Sequence, residues 1–346
     1  MNPTSKTYSA SFLTSLAQRL FVALGTPDDL ATIVATSLVS TNLAGHDSHG
    51  VIQIPIYAAA VQAGRIKPAA RASVAPATAM LATLAVDGAF GWGPPAACLT
   101  VEKIAERAQQ FGISTAVIRN CHHIGRVGQY VERLAAQNLI GIAMCNASRA
   151  VVPFNGRQRM LGTNPIAVAV PRQHGQPPVL FDGSTSIVAG NKIKVLLDKG
   201  LPTPAGWIVD SAGQPSTRPT DFFDGGGILS MGGHKGYGLG VMVELLGGLL
   251  SGASAAFLPD YAAVNGVLMI AFRPDAFMPL DDYLAQVDRA CAALKASPGV
   301  DDNTEVLLPG EPEQRARQER AQNGIPIPEA TWQAICDLAD RLSLAV

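Results

Sequence analysis

The sequence predicts an α/β fold with an all-helical unit at its N-terminal end, and three observations carry that prediction. Apolar residues recur at helical spacing through roughly the first 65 residues. Beyond them, short apolar runs of strand length alternate with amphipathic stretches, as in a mostly buried sheet flanked by helices. The composition, 48% hydrophobic and 15% charged with 34 glycines in 346 residues, suits a cytosolic α/β enzyme better than a binding scaffold. The formal net charge of −1 gives no field to draw nucleic acid or an anionic membrane, so the expected partners are small molecules and other subunits.

The elements follow in order. Phe12, Leu13, Leu16, Leu20 and Phe21 share one helical face, and Gly25 stops that helix. Thr26-Pro27-Asp28-Asp29 signals a second helix, running to about position 43. A third spans 51–62 and ends at Gly64. A β-rich run over 72–86 closes at Asp87-Gly88, and a helix opens at Pro94-Pro95 with Glu102 and Glu106 on its wet face. Strands at 113–118 and 139–145 flank an amphipathic helix at 127–136, and further strands fall at 165–171 and 179–181. Residues 201–226, rich in Pro, Gly, Asp and Thr, read as a long surface loop. A long apolar helix through Leu250, a strand at 267–272, a helix at 280–295 and a last helix from Pro328-Glu329 complete the chain.

Chemistry concentrates in two turns. Gly45-His46-Asp47-Ser48-His49-Gly50 joins the second and third helices, and Asn120-Cys121-His122-His123-Ile124-Gly125-Arg126 leads from a strand into a helix. Four of the 6 histidines therefore lie in glycine-flanked turns, where ligands bind in α/β proteins. Gly232-Gly233-His234-Lys235-Gly236 adds a helix start suited to an anion. The 5 cysteines are widely spaced in apolar surroundings and read as buried hydrophobes in a reducing compartment. With no signal peptide and no uninterrupted apolar run near the roughly 18 residues of a membrane span, a cytoplasmic protein is expected.

Familiar signatures fail. The segment Gly91-Trp92-Gly93-Pro94-Pro95-Ala96 follows a strand as a dinucleotide fingerprint would, but its prolines occupy the turn where amides should meet a pyrophosphate. Gly233-His234-Lys235-Gly236 lacks the full phosphate-loop spacing. No Gly-x-Ser-x-Gly occurs, and Ser48, directly preceding His49, would not readily present its hydroxyl to that ring as a nucleophile. A metal-dependent lyase or hydrolase built on His46, His49, His122 and His123 stays open as the alternative reading.

Taken in order, Gly-His-Asp-Ser-His-Gly, His-His-Ile-Gly-Arg, Gly-Thr-Asn-Pro at 162–165, Phe-Asp-x-x-Thr-Ser at 181–186, Gly-His-Lys-Gly-Tyr and Leu-Pro-Gly-Glu at 308–311 resemble the malate/L-lactate dehydrogenase family of the non-Rossmann type, with its ureidoglycolate and sulfolactate relatives. The hydroxycarboxylate dehydrogenase B branch is the nearest likeness. The resemblance implies a mixed-sheet α/β domain binding NAD or NADP over 71–274, and a helical domain of residues 1–70 joined by C-terminal helices at about 275–346. It implies interconversion of a 2-hydroxy acid and a 2-oxo acid, and a homodimer. Ser48, His49 and Asp182 would form a relay with His49 as proton donor, and His123 is the second choice for that role. Cofactor contacts would come from His123, Ile124, Gly125, Ser184, Thr185, Ser186, His234, Lys235, Pro309 and Gly310, and Thr163 would touch substrate. Metal is not expected.

One position departs from the pattern. Many members carry after Ser-His-Gly-x-x an arginine that clamps the substrate carboxylate, and here Gln53 stands in that place. Neutral hydrogen bonds replace a charged fork, so Arg126 or Lys192 is expected to meet the anion, and bulky apolar oxo acids become expected substrates.

Overall fold

The computed structural model describes residues 6–75, 81–173 and 175–346. Residues 76–80 of the expected strand region therefore lie outside the described residues. The chain opens with β1 (Lys6–Tyr8) and three helices, α1 (Ala10–Ala23), α2 (Asp28–Leu43) and α3 (Gln53–Gln62). Then come β2 (Ser73–Val74), β3 (Thr83–Gly91), α4 (Gly93–Phe111), β4 (Ile113–Cys121), α5 (Gly128–Ala135), β5 (Ile140–Cys145), β6 (Pro165–Val170), β7 (Val179–Ser184) and α6 (Gly190–Asp198). After β8 (Ile208–Val209), β9 (Pro215–Ser216), α7 (Pro219–Phe223) and β10 (Gly227–Ile228), α8 (His234–Val243) runs into a π-helical turn over Glu244–Leu249. The last elements are β11 (Asn265–Phe272), α9 (Leu280–Lys295), α10 (Glu311–Asn323), β12 (Ile325–Ile327) and α11 (Glu329–Arg341).

Seven strands form one mixed sheet in the order β2-β3-β4-β11-β5-β6-β7. Among the described residues only β3 and β4 of this sheet pair in parallel; every other neighbour is antiparallel. Strand β11 arrives late in the chain yet lies at the centre, with Leu268 opposite both Val117 and Met144. Its continuous apolar run fits the burial of six of its eight residues, including neighbours that point to opposite faces of the sheet. Residues Ile104, Tyr130, Val131 and Leu134 of α4 and α5 pack on Ala116, Ala143, Ala167 and Met269 of the sheet.

A second core gathers Leu16, Phe21, Leu38, Ile54 and Tyr57 of the first three helices with Trp92, Ile325, Ile335 and Leu338. Strand β1 pairs with β12, so both ends of the chain close on this core. Among the described residues α9 adds nothing to either core; Asp288 ties it to Arg172, just beyond β6, at 2.6 Å.

Three stretches differ from expectation. The region read as a loop over 201–226 holds α7 and strands of a small sheet ordered β10-β8-β9. Strand β7 continues to Ser184, so Asp182 and Ser184 sit within it. Helix α10 occupies a stretch in which the sequence pattern gave no element, because none of its 13 residues is buried and no apolar stripe marks it.

Candidate active site

The turn after α2 is held from both sides. Asn42 donates from Nδ2 to Asp47 Oδ1 at 2.6 Å and accepts from the Val51 amide at 2.7 Å, and Arg320 of α10 grips Asp47 at 2.6 and 3.0 Å. A side chain at Gly50 would overlap the Asn42 amide, so glycine is required there by close packing within the protein. The turn is thereby shaped before any ligand arrives. Asp47–His49 form one 3₁₀ turn, and in it Ser48 Oγ comes to 2.8 Å from His49 Nδ1. Adjacency in sequence did not prevent the pairing, because the tight turn folds the serine hydroxyl back onto the next ring. The Ser48 carbonyl accepts from Gln53 Nε2 at 2.7 Å and Asn191 Nδ2 at 3.1 Å. Gln53, only 7% exposed, thus holds the main chain of Ser48. His46 turns the other way, its Nε2 at 3.1 Å from Glu313.

The second turn brings His123 beside His49, with ring centroids 5.4 Å apart and planes tilted by 30°. Its Nδ1 is 2.7 Å from the hydroxyl of buried Tyr57. The Ile124 amide is fixed by Asn265 Oδ1 at 3.0 Å, and Gln129 joins the Arg126 carbonyl to the Ser37 hydroxyl. Arg126 is sealed in, its side chain 2% exposed: Nη2 meets Glu132 at 3.1 Å, and Nε lies 3.0 Å from Asp182 Oδ2 as an ion pair without hydrogen-bond alignment. Arg317 of α10 reaches the other side of Glu132 at 2.7 Å, and the Gly128 amide donates to Asp182 at 2.9 Å. Asp182 therefore faces Arg126 and α5, with no hydrogen bond to His49.

Burial sets the charge states. Desolvation, helped by the nearby His46 and Arg126, pulls His49 down to about 4, and desolvation first, then His49 and His122, pulls His123 to about 3. Desolvation raises the Asp182 carboxyl against the opposing pull of Arg126. Both rings are neutral near pH 7.

A second group lies at the ends of β6 and β7. The Thr163 carbonyl accepts from the Thr185 amide at 3.0 Å and its hydroxyl at 3.2 Å; Ser184 and Ser186 bond each other at 3.1 Å. The Met231 amide donates to Thr185, drawing the start of α8 alongside, where His234 meets Phe154 edge-on at 5.8 Å and Lys235 is exposed without an acidic partner among the described residues. Buried Glu244 gathers Asn146, Gly162, Asn164 and the Ala256 amide, which fixes the loop carrying Thr163. Pro309 and Gly310 pack on β7, where the Leu180 amide donates to the Pro309 carbonyl at 2.9 Å, and they lead into α10, whose Glu313 meets His46. The four histidines of the two turns do not converge, and among the described residues no three His, Cys, Asp or Glu side chains stand close enough to share a metal.

Residues 8–336 match the family described as malate/L-lactate dehydrogenase. The chain belongs to that family. Hydroxycarboxylate dehydrogenase B of Escherichia coli (strain K12) is 37% identical over 347 residues, covering 97% of this chain and 94% of the relative. L-lactate dehydrogenase of Cupriavidus necator is 35% identical, covering 96% of each. Among solved structures, a putative malate/lactate dehydrogenase from E. coli superposes with a TM-score of 0.92 at 35% identity, covering 98% of this chain and 96% of that one. The sulfolactate dehydrogenase of Methanocaldococcus jannaschii gives 0.87 at 30% identity, covering 98% of both.

This dehydrogenase also shows why its glycine segment at 91–96 is no dinucleotide fingerprint. Any side chain at Gly93 would overlap the carbonyls of His122 and His123, so that turn is filled by the protein's own backbone. Sequence reasoning missed Glu132, Glu313, Arg317 and Arg320 as parts of the site, because they belong to helical surfaces whose partners are distant in sequence. Tyr57, with Ile54, was expected to offer the substrate only apolar contact, and its hydroxyl instead meets His123.

Proposed function

We propose that this family member interconverts a 2-hydroxy acid and a 2-oxo acid with NAD or NADP, His49 carrying the proton. The Ser48–His49 pair, one imidazole nitrogen held at 2.8 Å and the ring neutral, is the observation that supports this most directly. In the tautomer where Nδ1–H donates to Ser48, the Nε2 lone pair takes the hydroxyl proton during oxidation; in reduction His49 returns it. Asp182 acts indirectly, by balancing Arg126, whose charge helps keep His49 neutral.

The donor set suits a dinucleotide. Gly232 and Gly233, with φ of 58° and 63°, lead into α8 beside exposed Lys235, next to a cleft of about 810 Å³ that also takes in Ser230, Ile187 and Arg157. These groups and the Ser184–Ser186 hydroxyls would hold phosphates and ribose, with His123, Ile124 and Gly125 beside the nicotinamide. The bound nicotinamide supplies the hydride acceptor for oxidation and the donor for reduction.

For the substrate carboxylate, Gln53 and Arg126 are poor choices because both side chains are committed inside the protein. Lys192 is the better one: it is exposed on α6 without an acidic partner among the described residues and shares a cleft of about 640 Å³ with Ser48 and His46. Ile52, Val195, Leu196, Trp207 and Pro328 line the same cleft, which favours a bulky apolar acid over a three- or four-carbon one. We also place a homodimer contact on the outer face of α8 and its π-helical turn, where Leu239, Met242, Leu245, Leu246, Leu249 and Leu250 are exposed together. The division into a helical and a cofactor-binding domain rests on the two separate cores.

A panel of oxo acids assayed with NADH and NADPH tests the reading. Turnover indifferent to EDTA, and greatest with bulky apolar members, is expected; turnover that appears only with added zinc overturns it.

A further inference from the structure

We propose that Tyr57 is a positioning residue that fixes His123 as the Nε2–H tautomer, making it a hydrogen-bond donor to a substrate oxygen beside the base His49. The inference rests on the dehydrogenase reading for its chemistry, and on geometry alone for the tautomer. Tyr57 is 1% exposed in α3, and its hydroxyl has one hydrogen-bond partner among the described residues, His123 Nδ1 at 2.7 Å. Two arrangements satisfy that distance. If Nδ1–H donated to the phenol, the phenolic proton would be buried without an acceptor, which a protein interior disfavours. The phenol therefore donates, and burial, which pushes its ionisation well above the ordinary range, keeps that proton in place.

A neutral imidazole with an occupied Nδ1 lone pair carries its only proton on Nε2. That nitrogen has no protein partner among the described residues and is not sealed from solvent, so it is available to a ligand. The same holds for Nε2 of His49. Two adjacent rings thus present unlike nitrogens when the half-buried Ser48 hydroxyl, which can turn its own proton to solvent, accepts from His49 Nδ1, whereas the sealed Tyr57 hydroxyl donates to His123 Nδ1. The division assigns proton transfer to His49 and polarisation of the substrate oxygen to His123.

Two-bond proton–nitrogen correlation spectra of the full chain labelled with ¹⁵N-histidine read the tautomer without any turnover. His123, assigned by the signals lost in His123→Gln, is expected as the Nε2–H form in the wild type and as a mixture of tautomers in Tyr57→Phe, which removes one oxygen and leaves the ring. In kinetics, His123→Leu should lose roughly 10²-fold in kcat/KM, as for loss of a preorganised donor, with His123→Gln recovering about tenfold of it through its side-chain N–H. An Nδ1–H tautomer in the wild type, or an unchanged tautomer in Tyr57→Phe, overturns the proposal. So does His123→Gln being no better than His123→Leu. If no oxo acid turns over at all, the spectra still decide the tautomer while the dehydrogenase reading fails separately.

Discussion

At His49 the proton and its timing are set by burial. A base pulled down to about 4 is already deprotonated at neutrality, and kcat/KM reports the free enzyme's groups. Oxidation, which needs the base form, should hold its kcat/KM from pH 8 to below pH 6 and fall only as pH approaches 4. Reduction needs the imidazolium, so its kcat/KM should climb as pH drops from 7 toward 4. Initial rates in both directions across that range check the sign, and a midpoint for oxidation near the ordinary histidine value of about 6.5 would contradict it. Gln53 has its own outcome. Gln53→Leu removes one of two donors to the Ser48 carbonyl and should cost about 1 kcal/mol in urea unfolding, with kcat falling because the Ser48–His49 turn loosens. Both histidine turns were legible in the sequence, since glycine-flanked histidines after helix and strand ends are a local pattern. Roles that depend on contacts remote in sequence were not: nothing near position 53 tells that its amide turns inward, and nothing near position 57 tells that its hydroxyl meets a residue 66 positions away.

Helix α10 is the element on which the site leans. Glu313, Arg317 and Arg320 fall on one helical face and reach His46, Glu132 and Asp47, so a helix with no buried residue is fastened to the first histidine turn and, through Glu132, to Arg126 at the end of the second. Arg320→Ala removes its bonds to Asp47 and the Asn42 carbonyl and should lower stability by about 1 to 3 kcal/mol, with the larger effect on kcat. Equilibrium unfolding beside steady-state kinetics checks this; an active, fully stable variant would show the strap to be idle. The same helix marks where sequence reading runs out. Helices α1 to α5 declare themselves by an apolar face or a proline start, whereas α10 is polar all round and owes its order to partners far along the chain. The long apolar helix after Gly233 was legible, but its change to π winding begins at buried Glu244, where four donors from distant parts of the chain meet the carboxylate, and no local spacing records either.

For the whole molecule, the mixed sheet could be reached only through resemblance. Apolar runs identify strands, but the insertion of β11 between β4 and β5 is decided by long-range packing. Among the described residues no helix is long and apolar enough to cross a membrane, and the α8 face exposes several leucines together. A second copy is the occupant proposed, and sedimentation should find a dimer at micromolar concentration that Leu246→Glu with Leu249→Glu converts to monomer. A monomeric wild type would remove this contact and leave the chemistry intact. The central claim, a dehydrogenase whose proton moves through His49, is tested most directly by comparing wild type and His49→Ala in oxidation of the best 2-hydroxy acid, with dinucleotide affinity measured in parallel by fluorescence. The account predicts a loss of about 10² to 10⁴ in kcat with affinity for the dinucleotide unchanged; full activity in His49→Ala would contradict it.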